Sequence, residues 1–415
     1  MVVPGIWGGS FEVNTKNNID SNVFSQSIKQ NGTTIGVGYY TIGRRANMDK
    51  EKYDGTSFVD GDAERLDQSS DGRNTQEGIY TGAILARLDL SNDLSLVVND
   101  VKTWATTLRG HGDIFYTGTD RTKDILNIER VYHSRDDVDD ELYLEYNDYQ
   151  GSTTVKNLTV NLGVTDAFGK TKSLTLVNST VNANADAALT NINLDLNISD
   201  NSLLNLGQKS LTVGRDVIFT NISDLANNGV KASQINVASS VVLNASNGLY
   251  DLNTKANTFR VEGSNVEIAS DASVEVKETD VVSGASLKAS IDQLGETIKI
   301  ENGQNQQTST LRVTHSGTLT FDKTVSGDGV LHLDLSDGSA LIFADGAGGE
   351  NNSVLVRMSN ATYTYDINDG FNRYVVGGKG KFISGSEALK LDTIGWQYNT
   401  EDSYGIIDLR NTSLM

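Results

Sequence analysis

Short runs in which apolar residues alternate with polar ones recur along most of the chain: SLTLVNSTV (173–181), INLDLNI (192–198), VEVKE (274–278) and LHLDL (331–335). Alternation of period two marks a strand with one buried face. The Asn, Gly, Ser and Asp between the runs supply turns. The runs also repeat. KASQINVASSVVLNAS (231–246) laid over KANTFRVEGSNVEIAS (255–270) aligns Ile235 with Phe259, Val237 with Val261 and Val242 with Val266. At the same shift Leu211, Val213 and Ile218 extend these columns upstream, Leu189 and Leu194 continue two of them, and Val274 and Val276 map onto Ile298 and Ile300. A strand of four or five residues cannot bury its apolar face alone, whereas coils stacked about 4.8 Å apart bury it against one another. Three such strands with their turns take up about 20 to 25 residues, so the pattern predicts an all-β, right-handed parallel β-helix with coils of that length. The single proline, Pro4, agrees, since every internal strand must donate to its ladder.

Three regions are distinguished. Residues 1–150 are richer in charge and aromatics, and 46–78 has no apolar period, which predicts N-terminal coils with a cap and a long projecting loop. Within 124–149 the i, i+3, i+7 spacing of Ile125, Ile128 and Tyr132 predicts a short helix. Residues 151–315 form the regular coils. From 316 to 415 the alternation persists while Gly and aromatics rise, so aromatics are expected to fill and cap the last coils, protecting an otherwise open strand edge.

Composition narrows the function. The chain has no Cys, so neither disulfides nor thiolate metal sites contribute; cysteine avoidance is also common among proteins exported through a periplasm. A net charge of −20 opposes nucleic acid as the main partner. No stretch of about 18 apolar residues is present to span a membrane as a helix. The start, MVVPGIWGGS, lacks the regions of a signal peptide and reads as an initiator Met on an already trimmed mature domain.

Two charged patterns are candidates for binding. Lysines at 209, 231, 255, 277, 299 and 323 recur at near-constant spacing, close to one coil length, which would set one cation per coil along one side. Arg215 and Arg260 lie near the same edge, and Arg260, between Phe259 and Val261, must point outward. Lys209, Arg215, Lys231, Lys255, Arg260 and Lys277 would bind sulfated polysaccharide through charge-assisted contacts; alternatively, lysines at coil turns only keep the edges soluble. Asp136, Asp137, Asp139, Asp140 and Glu141 form an acidic block, either a solvated loop or a patch for a protein ligand or divalent ion. Trp7, Tyr39, Tyr40, Tyr53, Trp104, Phe115, Tyr116, Tyr143 and Tyr146 either pack in the cap or stack on a ligand. His111, His133, His315 and His332 lack zinc-site spacing, no GDSG nucleophile setting occurs, and GDGVLHLDL lacks the tandem pattern of calcium nonapeptides. Neither cofactor nor metal is therefore expected.

The coils of the SLTLVNSTV and GSNVEIAS type, the Asn/Ser/Thr-rich turns and the Gly-aromatic C-terminal section together resemble the passenger domain of AIDA-type bacterial autotransporters, over roughly 155–415. The final section looks like the autochaperone region of that family, and the size and front loop are similar to its UpaB-type adhesins. Nothing after 316 offers the ten-residue amphipathic strands of a translocator barrel, so the resemblance implies a passenger carried at the bacterial surface by an outer-membrane barrel absent from this chain. It further implies a non-enzymatic adhesin binding host glycosaminoglycans or a matrix protein such as fibronectin. The alternatives left open are a polysaccharide lyase or hydrolase on the same scaffold, using grouped carboxylates, and a self-associating passenger that promotes aggregation and biofilm.

Overall fold

The computed structural model describes side chains for residues 111, 113–128, 149–349, 353–385, 389, 391–395 and 405–409, and backbone alone for short strands outside those ranges. Two compact units divide the chain, one comprising 1–214 with 229–233, the other 215–228 with 234–415. Each is built from stacked parallel strands, a β-solenoid, and no α-helix occurs among the described residues.

In the first unit one ladder runs through Leu94–Asn99, Asp113–Thr117, Thr153–Lys156, Leu174–Val177 and Leu196–Ser199, all parallel. Ser10–Thr15 joins its first strand antiparallel. A second ladder stacks Ile125–Ile128, Thr159–Leu162, Thr180–Ala183, Leu203–Asn205 and Gly229–Lys231. Alternate residues point inward, so Ile114, Val155, Leu174, Leu176 and Ile198 are fully buried. The helix expected within 124–149 gives way at its start to the strand Ile125–Ile128, with Leu126 and Ile128 inward and Ile125 47% exposed. Three apolar residues in four fit either period, and pairing of Leu126 with Val160 decides for the strand.

The frequent Asn has a local cause. Asn157, Asn178, Asn221 and Asn265 turn the chain with φ of 46–56°, a region Asn tolerates better than other side chains. Asn also stacks: Asn161 donates to Asn127 at 2.9 Å, and Asn182 to Asn161 at 3.0 Å.

In the second unit a first ladder stacks Val217–Ile222, Ser240–Ala245, Thr258–Val261, Glu278–Val282, Thr297–Glu301 and Thr324–Gly327. A second stacks Gly248–Tyr250, Val266–Ile268, Ser286–Ala289, Thr310–His315, Val330–Phe343 and Leu355–Thr364. A smaller one joins Gln234–Val237, Thr254–Lys255 and Val274–Glu275. The coils differ in length: the chain from Val241 to its ladder neighbour Phe259 is much shorter than the chain from Ile298 to its neighbour Val325.

This variation overturns the overlay of 231–246 on 255–270. Phe259 stacks on Val241 rather than on Ile235, whose neighbour is Thr254. Likewise Ile298 and Ile300 stack on Thr279 and Val281, not on Val274 and Val276. Core packing selects for apolar residues at inward positions, whereas turns absorb any change in coil length, so similar strings recur on different faces.

Towards the C-terminus Phe321, Phe343, Tyr363, Phe371, Tyr374 and Phe382 are buried together, with ring centroids 5.1–5.8 Å apart. The expected aromatic filling of these coils is present, and it encloses a carboxyl group. Asp369, 1% exposed, accepts hydrogen bonds from the hydroxyls of Tyr363 and Tyr374 and from the Phe371 amide. Burial raises the pKa of Asp369 above the usual carboxylate range, against the opposing pull of these bonds.

Candidate functional site

The lysines singled out by their spacing do not form one line. In the first unit Lys209 directs its Nζ to the Ala183 carbonyl at 2.5 Å, while its own carbonyl meets the amide of Ser233, beyond Lys231. Lys231 stands opposite Asn205 and is exposed. In the second unit Lys255 stands opposite Asn236 and Glu275, whereas the Lys277 amide bonds to the Asn257 carbonyl, so these two are also out of register. Lys299 sits on the first ladder of this unit, and Lys323 just before that ladder's strand Thr324–Gly327. Irregular coil length, invisible in the near-constant spacing of the lysines, is the reason. Asp136, Asp137, Asp139, Asp140 and Glu141, and the 46–78 loop, lie outside the described residues. Of the N-terminal aromatics with described side chains, Tyr116 is fully buried and stacks with Phe168 at 6.0 Å, and Phe115 is half-buried.

Arg260 does point outward between buried Phe259 and Val261. Its neighbours along the ladder are Val242 and Asp280, and Asp280 is followed by Lys299 and Ser326. Arg260 Nε bonds Glu262 at 2.7 Å and its Nη1 lies 3.5 Å from Asp280; Lys299 lies 2.8 Å from Glu301. Burial, then the charge of Glu278, raises the Asp280 pKa, while Arg260 and Lys299 oppose the rise. Two other predicted cations are likewise engaged: Arg215 lies 3.7 Å from Asp216 and Lys255 3.5 Å from Glu275. These carboxylates would compete with an anionic ligand.

A different column carries unbalanced positive charge. On the second ladder Glu267, Lys288, Arg312, His332 and Arg357 are successive neighbours. From Lys288 to Arg357 the column spans three steps, about 14 Å. Each basic residue lies between two buried apolar ones: Leu287 and Ala289, Leu311 and Val313, Leu331 and Leu333, Val356 and Met358. Strand geometry therefore turns all four outward. Lys288 pairs with Glu267 at 2.6 Å and Arg312 with Asp334. Arg357 has no carboxylate partner among the described residues, and its Nε is buried without a hydrogen bond.

His332 Nε2 is 2.9 Å from Ser359 Oγ. Burial pushes its pKa down to about 4, helped by Arg312 and Arg357 and resisted by Asp334. His332 is thus neutral at pH 7, and Arg357 provides the column's unmatched charge. The pattern of a basic residue between two apolar residues that placed Arg260 outward also identifies this column. The steps from Lys288 to Arg312, from Arg312 to His332 and from His332 to Arg357 are unequal in sequence, which hides the column from a search at fixed period.

Among the described residues no group of three or more His, Asp or Glu side chains converges as a metal site would require. No family model matches the chain, and neither does any curated protein or solved structure. The sequence motifs alone carry the resemblance to autotransporter passengers.

Proposed function

We propose that this chain is a non-enzymatic adhesin displayed at a bacterial surface, the passenger of an autotransporter, and that it binds acidic polysaccharides such as host glycosaminoglycans. The observation that carries this reading is Arg357, a half-buried guanidinium without a counter-ion among the described residues, at the end of a rung-by-rung basic column. Sulfate and carboxylate groups bind such donors through charge-assisted hydrogen bonds. A linear polyanion laid along the column also meets Arg312, and reaches Lys288 next to Glu267, the acidic residue that ends the column. Several modest contacts along a rigid ladder then sum to avidity. A matrix protein as a further ligand, and attachment through an outer-membrane barrel, follow from the family resemblance and belong to the same proposal.

The test is retention on heparin and chondroitin sulfate surfaces at low salt. The double variant Arg312→Glu/Arg357→Glu is expected to bind at least about tenfold more weakly, since counter-ion release scales with the charges neutralised. The triple variant Lys231→Glu/Lys255→Glu/Arg260→Glu is expected to bind within about twofold of the parent. The reverse outcome would return the site to the spaced lysines, and absence of binding by the parent chain would end the acidic-glycan reading.

A further inference from the structure

Besides the basic column, the second unit holds an open groove of about 700 Å³ where its first ladder turns the corner towards the second. Five successive coils line it, among them Asn244, Ser246, Ser264, Ser283, Gln307 and Thr308. Four steps between coils give it a length of about 19 Å, roughly four pyranose rings. Gly263 belongs to its lining, and there the neighbouring coil approaches so closely that a Cβ would fall 1.8 Å from the Ala245 carbonyl oxygen, so no side chain fits.

The lining is hydroxyl and amide. No cation and no aromatic ring faces the groove, and its single charged residue, Glu262, already accepts from Arg260. The side chains of Asn244, Ser246, Ser283, Gln307 and Thr308 make no hydrogen bond among the described residues, whereas outward asparagines of the first unit bond one another from coil to coil. Five polar side chains of the kind that pair elsewhere are left unpaired along one concave track, while the Ser264 hydroxyl donates to the Ser246 carbonyl at 3.0 Å. An extended peptide would seek an open strand edge for its backbone. The strands beside the groove spend their backbone groups in the ladder instead, as the pairing of Thr220 with Asn244 and of Leu243 with Val261 illustrates. A polyanion would meet Glu262 and no compensating cation.

We infer that this corner groove is a second binding site, taking an uncharged oligosaccharide of about four sugars through direct hydrogen bonds from the Asn, Gln, Ser and Thr side chains. It shares with the adhesin reading only the class of ligand; none of its residues belongs to the basic column, so either site can fail alone.

The experiment titrates the full chain with uncharged di-, tetra- and hexasaccharides of glucose, mannose and N-acetylglucosamine, with heparin as a parallel probe. Ser246→Tyr and Ser264→Tyr fill the groove from exposed positions, and Asn244→Ala/Gln307→Ala removes donors without adding bulk. The expected result is binding of at least one uncharged series that strengthens from two to four sugars and then levels. Either tyrosine variant should weaken it at least tenfold, and the alanine pair several-fold, with heparin affinity and melting temperature unchanged. The inference is overturned if no uncharged sugar binds, if binding survives the tyrosines and the alanine pair, if heparin affinity falls in parallel, or if an extended peptide takes the groove in place of sugar.

Discussion

Two outward columns of the second unit share a scaffold and differ in charge order. Along the first ladder Arg260, Asp280 and Lys299 alternate in sign, and Glu262 and Glu301 flank the cations. Along the second ladder Lys288, Arg312, His332 and Arg357 are all basic, and only two of them meet a carboxylate among the described residues. The difference teaches that rung spacing alone does not make a binding face. A solenoid repeats every position about 4.8 Å apart, so like charges repel unless carboxylates intervene or a ligand supplies them. The first column has answered with its own side chains; the second has left Arg357 open.

The largest expected effect tests whether the scaffolds are equivalent. Ile298 and Leu311 are both fully buried, one beside Lys299 and the other beside Arg312. Ile298→Ala and Leu311→Ala should each cost about 2–5 kcal/mol in denaturant unfolding. A much smaller cost at Leu311 would mean that the basic face is loosely packed, and that Arg357 lacks a partner through poor packing.

The next effect is acid sensitivity confined to the basic column. His332 has a folded pKa of about 4 against an ordinary 6.5. Its contribution to stability is therefore full above about pH 6.5 and is lost as pH falls towards 4, because the unfolded chain takes up the proton first. The loss is on the order of 2–3 kcal/mol, and His332→Asn should flatten that part of the pH profile. Asp369 has the opposite sign: with its pKa raised, its contribution is full at low pH and declines as pH rises through the folded value. Asp369→Asn should remove that decline, and the two variants together separate an acid limb on the basic face from a limb in the aromatic block.

The sequence makes the kind of fold and the direction of single side chains legible, but not the register. Inward positions obey one rule, burial, and Phe259, Arg260 and Val261 show how it orients even a charged neighbour. Register depends on the lengths of turns, which burial does not constrain. The overlay of Ile235 on Phe259 fails for that reason, since the coil from Val241 to Phe259 is shorter than the coil before it, from Val217 to Val241. The lysines follow the average period and scatter over different ladders; the basic column follows the true register and has no constant period. The corner groove is illegible for a related cause, as its lining comes from the strand ends and turns of five coils that no short motif joins.

A smaller effect would convert one column towards the other. Asp280→Asn keeps the shape of the side chain and removes the carboxylate between Arg260 and Lys299, leaving one more net positive charge on that face. Because Asp280 is 8% exposed and one of its oxygens is buried without a hydrogen bond, losing its charge should change stability by under about 1 kcal/mol. Heparin retention at low salt should rise about two- to threefold. No rise would mean that Glu262 and Glu301 suffice to silence the column.

The smallest effect is expected at Lys255, one of the evenly spaced lysines. Its ion pair with Glu275 spans 3.5 Å between side chains that are both 65% exposed. Water and salt screen such a pair, so Lys255→Gln should alter stability by less than about 0.5 kcal/mol. Polyanion binding should be unchanged, because the neighbours of Lys255 along its ladder are Asn236 and Glu275 and no second cation reinforces it. The matched measurement is Arg357→Gln, which removes one cation from a face that holds Arg312 one step beyond His332. If Lys255→Gln weakened heparin retention as much as Arg357→Gln, isolated lysines would bind as well as stacked ones, and the distinction between the columns would lose its functional meaning.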